Sequence, residues 1–138
     1  MSTGYQQTNN IYQYSSEESI ELNELDQFYL GVDAFNQKDF PKAHHIWEHI
    51  WKRLGITSNR TFLKPFIMLS VSYQNYESGK NSGGNYLFQK AFNQLNENKN
   101  TIEKLIEFKL FFNQLQHSLK EAELIDRFIN LKIKRRDT

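Results

Sequence analysis

The feature that most constrains this chain is the return of apolar residues at helical spacing from Glu18 almost to its end. Leu22, Leu25, Phe28, Tyr29, Val32 and Phe35 recur every three or four positions, which puts them on one face of a helix. Phe62, Phe66, Leu69, Tyr73 and Tyr76 repeat the pattern further on. No stretch alternates apolar and polar residues for the length of a strand, and only two prolines interrupt the chain. The expectation is an all-α, single-domain bundle of five or six helices, antiparallel where the loops are short.

Local signals place the boundaries. Residues 1–16 are polar and rich in Gln, Asn, Ser and Tyr, and read as a disordered tail. Ser15-Ser16-Glu17-Glu18 is a capping signature that opens the first helix, which runs to about Asn36. Asp39 is an N-cap, Pro41 suits the first turn, and Gly55 stops the second helix after Leu54. A third helix is expected over about Thr61 to Ser78, with Pro65 near its start. Gly79-Lys80-Asn81-Ser82-Gly83-Gly84 reads as a turn, because no phosphate-loop pattern surrounds its glycines. A fourth helix carries Tyr86, Leu87, Ala91 and Leu95. A fifth, capped by Asn100, carries Ile102, Leu105, Ile106, Phe112, Leu115 and Leu119. A last helical stretch spans about Ala122 to Ile133, and the basic Lys132 to Arg136 segment reads as a solvated end. The bundle is therefore expected over 17–133, followed by a short basic tail at 134–138.

Composition limits the classes of function. Lys+Arg 17 against Asp+Glu 16 leaves a net charge of +1, so no whole-molecule field favours nucleic acid or a membrane surface as partner. The absence of Cys excludes disulfides, thiol catalysis and cysteinyl metal sites. No run approaches the ~18 apolar residues of a membrane span, and the first residues lack a secretory or transit pattern. These features suit a cytoplasmic protein. The abundance of Asn and Lys over Ala and Arg hints at an AT-rich genome, which brings in a plastid-encoded origin as an alternative. The core must be built from rings, since 14% of residues are aromatic, including 11 Phe and 7 Tyr.

The polar chemistry concentrates in one segment, Phe40 to Trp51. On a helix His44, Glu48 and Trp51 lie at i, i+4 and i+7 on one face, while Ala43, Ile46, Trp47 and Ile50 point inward. The pair His44/Glu48 fits either an acid–base couple or a hydrogen-bonded unit that fixes helix packing. His45-Ile46-Trp47-Glu48-His49 also matches the H-x-x-E-H zinc-peptidase spacing, which makes His45, Glu48 and His49 weak metal candidates. Such a site needs a third protein ligand, and no downstream Glu is marked for that role. His45 and His49 read more simply as solvated helix residues.

The same segment resembles domain-of-unknown-function family 309, small helical proteins of bacteria, archaea and plastids. The likeness rests on Phe35-Asn36, Phe40, Ala43-His44, Glu48 and Trp51, then Arg60, Phe62-Leu63 and Asn81-Ser82-Gly83-Gly84, over about residues 28–95. Two departures stand out: the family's Glu after the His is His45 here, and a usual Gly in the third helix is Pro65. The resemblance implies an all-helical bundle and brings no activity. Phe40, Ala43, Trp47 and Trp51 are also similar to one tetratricopeptide unit, although no second copy follows. The sequence thus points to a non-enzymatic binding module with a protein or peptide partner, no cofactor, and His44, Glu48 and Trp51 as its site. A small metal-dependent or His/Glu acid–base hydrolase is the alternative.

Overall fold

The computed structural model describes residues 18–56 and 59–136. The segment expected to be a tail, and the cap at Ser15-Ser16-Glu17, lie outside the described residues. Six α-helices are present among the described residues: α1 Glu18–Asn36, α2 Phe40–Leu54, α3 Lys64–Glu77, α4 Asn81–Glu97, α5 Lys99–Ile102 and α6 Phe108–Ser118. Short 3-10 turns at Thr61–Leu63 and Leu124–Phe128 complete them. The all-α expectation holds. The main packing runs in sequence order, α1 on α2, α2 on α3 and α3 on α4. No helix among the described residues is long and apolar enough to cross a membrane.

One aromatic core joins these elements. Trp47 lies fully buried between Phe28, Phe35 and Phe66, with ring centroids 6.2, 6.0 and 5.3 Å away. Its indole N–H donates to the Phe28 carbonyl at 3.1 Å, which satisfies the one polar atom the ring takes inside. A Cβ on Gly31 would run into that indole, so the glycine lets α1 and α2 approach this closely. At the other end of the core Phe128 meets Phe40, Tyr73 and Phe88 edge-on.

The α1–α2 turn is closed by backbone bonds from Lys38 to Phe35 (2.9 Å) and from Asp39 to Ala34 (2.9 Å). This six-to-one and five-to-two pairing is the Schellman termination, which requires a left-handed residue, and Lys38 takes it at φ 67°. Glycine would hold that conformation with less strain. Lysine adds a tether instead, since its Nζ donates to the carbonyls of Phe128 (2.7 Å) and Leu131 (2.9 Å). The α2 start follows the expectation: Asp39 accepts from the Lys42 N–H at 3.3 Å and Pro41 sits in the first turn.

Three expectations fail, each for a physical reason. Gly83 and Gly84 do not form a turn but lie in the first turn of α4. There the Tyr76 ring packs where a Gly84 Cβ would stand, and Ser72 donates to the Gly84 carbonyl at 2.7 Å. The expected fifth helix is broken at 103–107, because the backbone there pairs with the C-terminal segment. Glu107 N–H donates to the Lys134 carbonyl at 2.8 Å, and Arg136 N–H to the Leu105 carbonyl at 3.1 Å. The expected last helix is reduced to the 3-10 turn at Leu124–Phe128, followed by an extended strap over residues 131–136.

Side chains from other elements satisfy the strap's backbone groups, so it needs no helix of its own. Asn36 clamps Ile133 from both sides, accepting its N–H and donating to its carbonyl, each at 2.8 Å. Gln114 accepts from the Lys132 N–H at 2.9 Å, and Arg136 reaches the Glu103 carbonyl at 2.6 Å. The backbone of the basic segment is thus pinned to the bundle as far as Arg136, while its Lys132 and Lys134 side chains stay exposed. Two apolar assignments shift as well: Tyr86 is 62% exposed and Leu25 42%, while Phe88 and Phe111, outside the expected stripes, are fully buried.

Two substitutions test this packing. Asn36→Ala removes both bonds of the clamp and should cost about 1–3 kcal/mol in urea unfolding, with faster hydrogen exchange at the Ile133 amide. Unchanged stability and exchange would show that the clamp is not formed. Gly84→Ala should destabilise by about 1–3 kcal/mol through overpacking against Tyr76. Helix propensity alone predicts the opposite sign, a gain of about 1 kcal/mol, so a stabilised variant would contradict the close approach.

Candidate functional site

The α2 helix sends Phe40, Ala43, Ile46, Trp47 and Ile50 into the core. His44, Glu48 and Trp51 follow at the edge of that stripe and emerge where α2 meets α3. The His44 side chain is 28% exposed and that of Glu48 44%, and Trp51 is half-buried against the core. The three predicted site residues therefore share one partly open face. The rings of α3 and of the 3-10 turn before it that would seal it are engaged elsewhere. Phe62 and Phe66 pack on Phe28, and Tyr73 packs on Phe40 and Phe128.

The hydrogen-bond pattern fixes the His44 ring. Gln74 places its Nε2 3.3 Å from His44 Nδ1 and 3.1 Å from the Ser70 carbonyl. A carbonyl only accepts, so the Gln74 atom between the two is the amide NH2. His44 Nδ1 is then the acceptor, and in the neutral ring the proton sits on Nε2. That nitrogen faces Glu48 Oε2 at 3.8 Å, a distance for ion pairing but too long for a good hydrogen bond. The other carboxylate oxygen stands 3.9 Å from Lys52 Nζ. Neutral His44 thus has its lone pair occupied by Gln74 and presents only a donor, which ill suits a general base.

Beside the pair, Glu48, Trp51, Lys64, Ile67 and Met68 line a small groove of about 150 Å³. Arg60 braces its wall. The guanidinium carbon lies 3.9 Å from the Trp51 ring centroid, and Nη1 donates to the Trp51 carbonyl at 2.9 Å. One side chain thereby stacks on the indole and caps the C-terminal end of α2, where a cation is favoured. Lys64 Nζ stands 6.0 Å from the same ring.

His45 is exposed and His49 half-buried, while Glu48 turns toward His44 and Lys52. No three His, Cys, Asp or Glu side chains among the described residues group closely enough to hold a metal ion. Sequence reasoning missed Gln74, Lys64, Ile67 and Met68, because attention to the aromatic stripe of α3 passes over the positions that border α2. Arg60 was marked only through the family resemblance.

Comparison with known proteins supports the family resemblance. No curated protein and no solved structure matches the chain. The family model described as domain of unknown function (DUF309) matches residues 28–87. That span runs from the middle of α1 into α4 and holds Phe35-Asn36, Ala43-His44, Glu48, Trp51 and Arg60. Residues 28–87, with the α2–α3 face at their centre, are thus similar to the DUF309 family.

Proposed function

We propose that this domain is a non-enzymatic interaction module whose α2–α3 face receives a partner polypeptide. The observation that carries the reading is the openness of His44, Glu48 and Trp51 beside a groove of only about 150 Å³. Small-molecule sites typically enclose about 300–1,000 Å³. The groove lies below that range, and its size suits a partner's side chain. Ile67, Met68 and the Trp51 ring offer apolar contact, and Met adapts its shape to varied side chains. The His44 Nε2–H donates, Glu48 accepts, and Lys64 adds a cation on the far rim.

The hydrolase reading finds less support. An acid–base role would have to free His44 Nδ1 from Gln74 or use Nε2 after loss of its proton. A metal role would need ligands beyond the His45, Glu48 and His49 motif. The interaction reading uses the groups in the state in which the fold presents them.

Two measurements test it. His44→Ala and Glu48→Ala should each change folding stability by less than about 1 kcal/mol, as is usual for half-exposed pairs at ion-pair distance. Losses of about 2–3 kcal/mol in both would make the pair a structural unit. A photo-crosslinking residue at Met68, introduced into source cells, should give a discrete protein adduct that Glu48→Lys abolishes and that the exposed α4 position Lys90 does not yield. Equal labelling at both positions would overturn the reading. So would one equivalent of zinc that raises the melting temperature and is lost in Glu48→Ala.

A further inference from the structure

The strap over residues 131–136 builds a second surface away from the α2–α3 face, independent of the reading above. Its residues alternate: Leu131 and Ile133 are buried, while Lys132 and Lys134 are exposed. Because Asn36 and Gln114 hold the backbone, this register is fixed and the two lysines stand outward on one edge. Neither lysine has an acidic partner among the described residues. Arg135 adds a third cation, its guanidinium carbon 4.0 Å from the Tyr29 ring centroid.

These cations border a groove of about 540 Å³ between the strap, α1 and α6. Tyr29, Leu110 and Gln114 line it, with Asp33 its one acidic residue. Leu110 is 47% exposed, so the groove joins an uncovered apolar contact to a cationic edge. The positive potential is felt locally: desolvation first, and the Lys132 charge second, hold the Lys38 ammonium below its ordinary pKa. The chain as a whole carries only +1, so this edge is a local concentration of charge.

We propose that the groove docks an acidic peptide segment bearing an apolar side chain, with Lys132 and Lys134 pairing its carboxylates and Leu110 meeting the apolar group. Charge complementarity selects an anion, and the apolar wall selects a peptide over a nucleic acid. A bound base would want a free aromatic face, but Arg135 already covers Tyr29.

The test uses the full chain and a fluorescein-labelled peptide, Asp-Glu-Leu-Glu-Phe-Asp-Glu, read by anisotropy. Saturable binding is expected, weakening with salt and falling about tenfold in Lys132→Glu/Lys134→Glu. It should be lost when serine replaces the peptide's Leu and Phe. The milder pair Lys132→Gln/Lys134→Gln, checked for native helical content by circular dichroism, should weaken binding in the same direction. Absence of saturable binding, or equal affinity for the serine peptide or for either variant, would overturn the proposal. Tighter binding of an oligothymidylate would assign the edge to nucleic acid. Self-association in sedimentation that the charge reversal abolishes would assign it to a second copy, and either result overturns the peptide.

Discussion

The structure depends on one contact, the Trp47 indole seated against the α1 backbone over Gly31. The ring is fully buried, and its N–H is bonded to the Phe28 carbonyl. Truncating a core ring of this size costs about 3–5 kcal/mol, a large part of the roughly 5–15 kcal/mol that holds a domain of this kind folded. The contact also fixes the rotation of α2 about its axis. With Trp47 pointing in, Ala43, Ile46 and Ile50 follow, and His44 and Glu48 are carried to the edge. The same α1 helix and the turn that ends it carry the Asn36 and Lys38 side chains that hold the strap.

The residues of the family motif divide by this geometry. Phe35, Phe40 and Ala43 are core, and Asn36 is a clamp for a segment almost a hundred positions away. His44, Glu48 and Trp51 are none of these. The His44–Glu48 contact is long, and Gln74 and Arg60 position His44 and Trp51 while leaving them only partly buried. A residue set that holds a fold together is expected to be sealed and fully bonded. This one is oriented and left partly accessible, as the proposed interaction reading requires.

Much of the fold was legible in the sequence, since helices with a repeating apolar face announce themselves. The α2 boundaries at Asp39, Pro41 and Gly55 were readable because each residue type acts through its own backbone. The failures share a cause. Gly83-Gly84 looked like a turn because the Tyr76 ring that occupies the place of a Gly84 side chain lies on another helix, α3. The break at 103–107 and the extended strap depend on side chains from Asn36, Lys38 and Gln114, which no local window reveals. For the site, α2 periodicity grouped His44, Glu48 and Trp51. The α3 half, Gln74 with Lys64, Ile67 and Met68, depended on how two helices align, and that information is tertiary.

The central claim is that Gln74 holds His44 as an oriented donor on an open face. The most direct measurement is the nitrogen-15 chemical shifts of the His44 ring in the neutral state, observed by long-range proton–nitrogen correlation. The account predicts the Nε2–H tautomer, with Nδ1 in the acceptor range, and a shift toward mixed tautomers in Gln74→Ala. A ring protonated on Nδ1, or an even mixture in the unaltered protein, would contradict it. The Nε2 lone pair would then face Glu48 and solvent, and His44 would have to be read as a base.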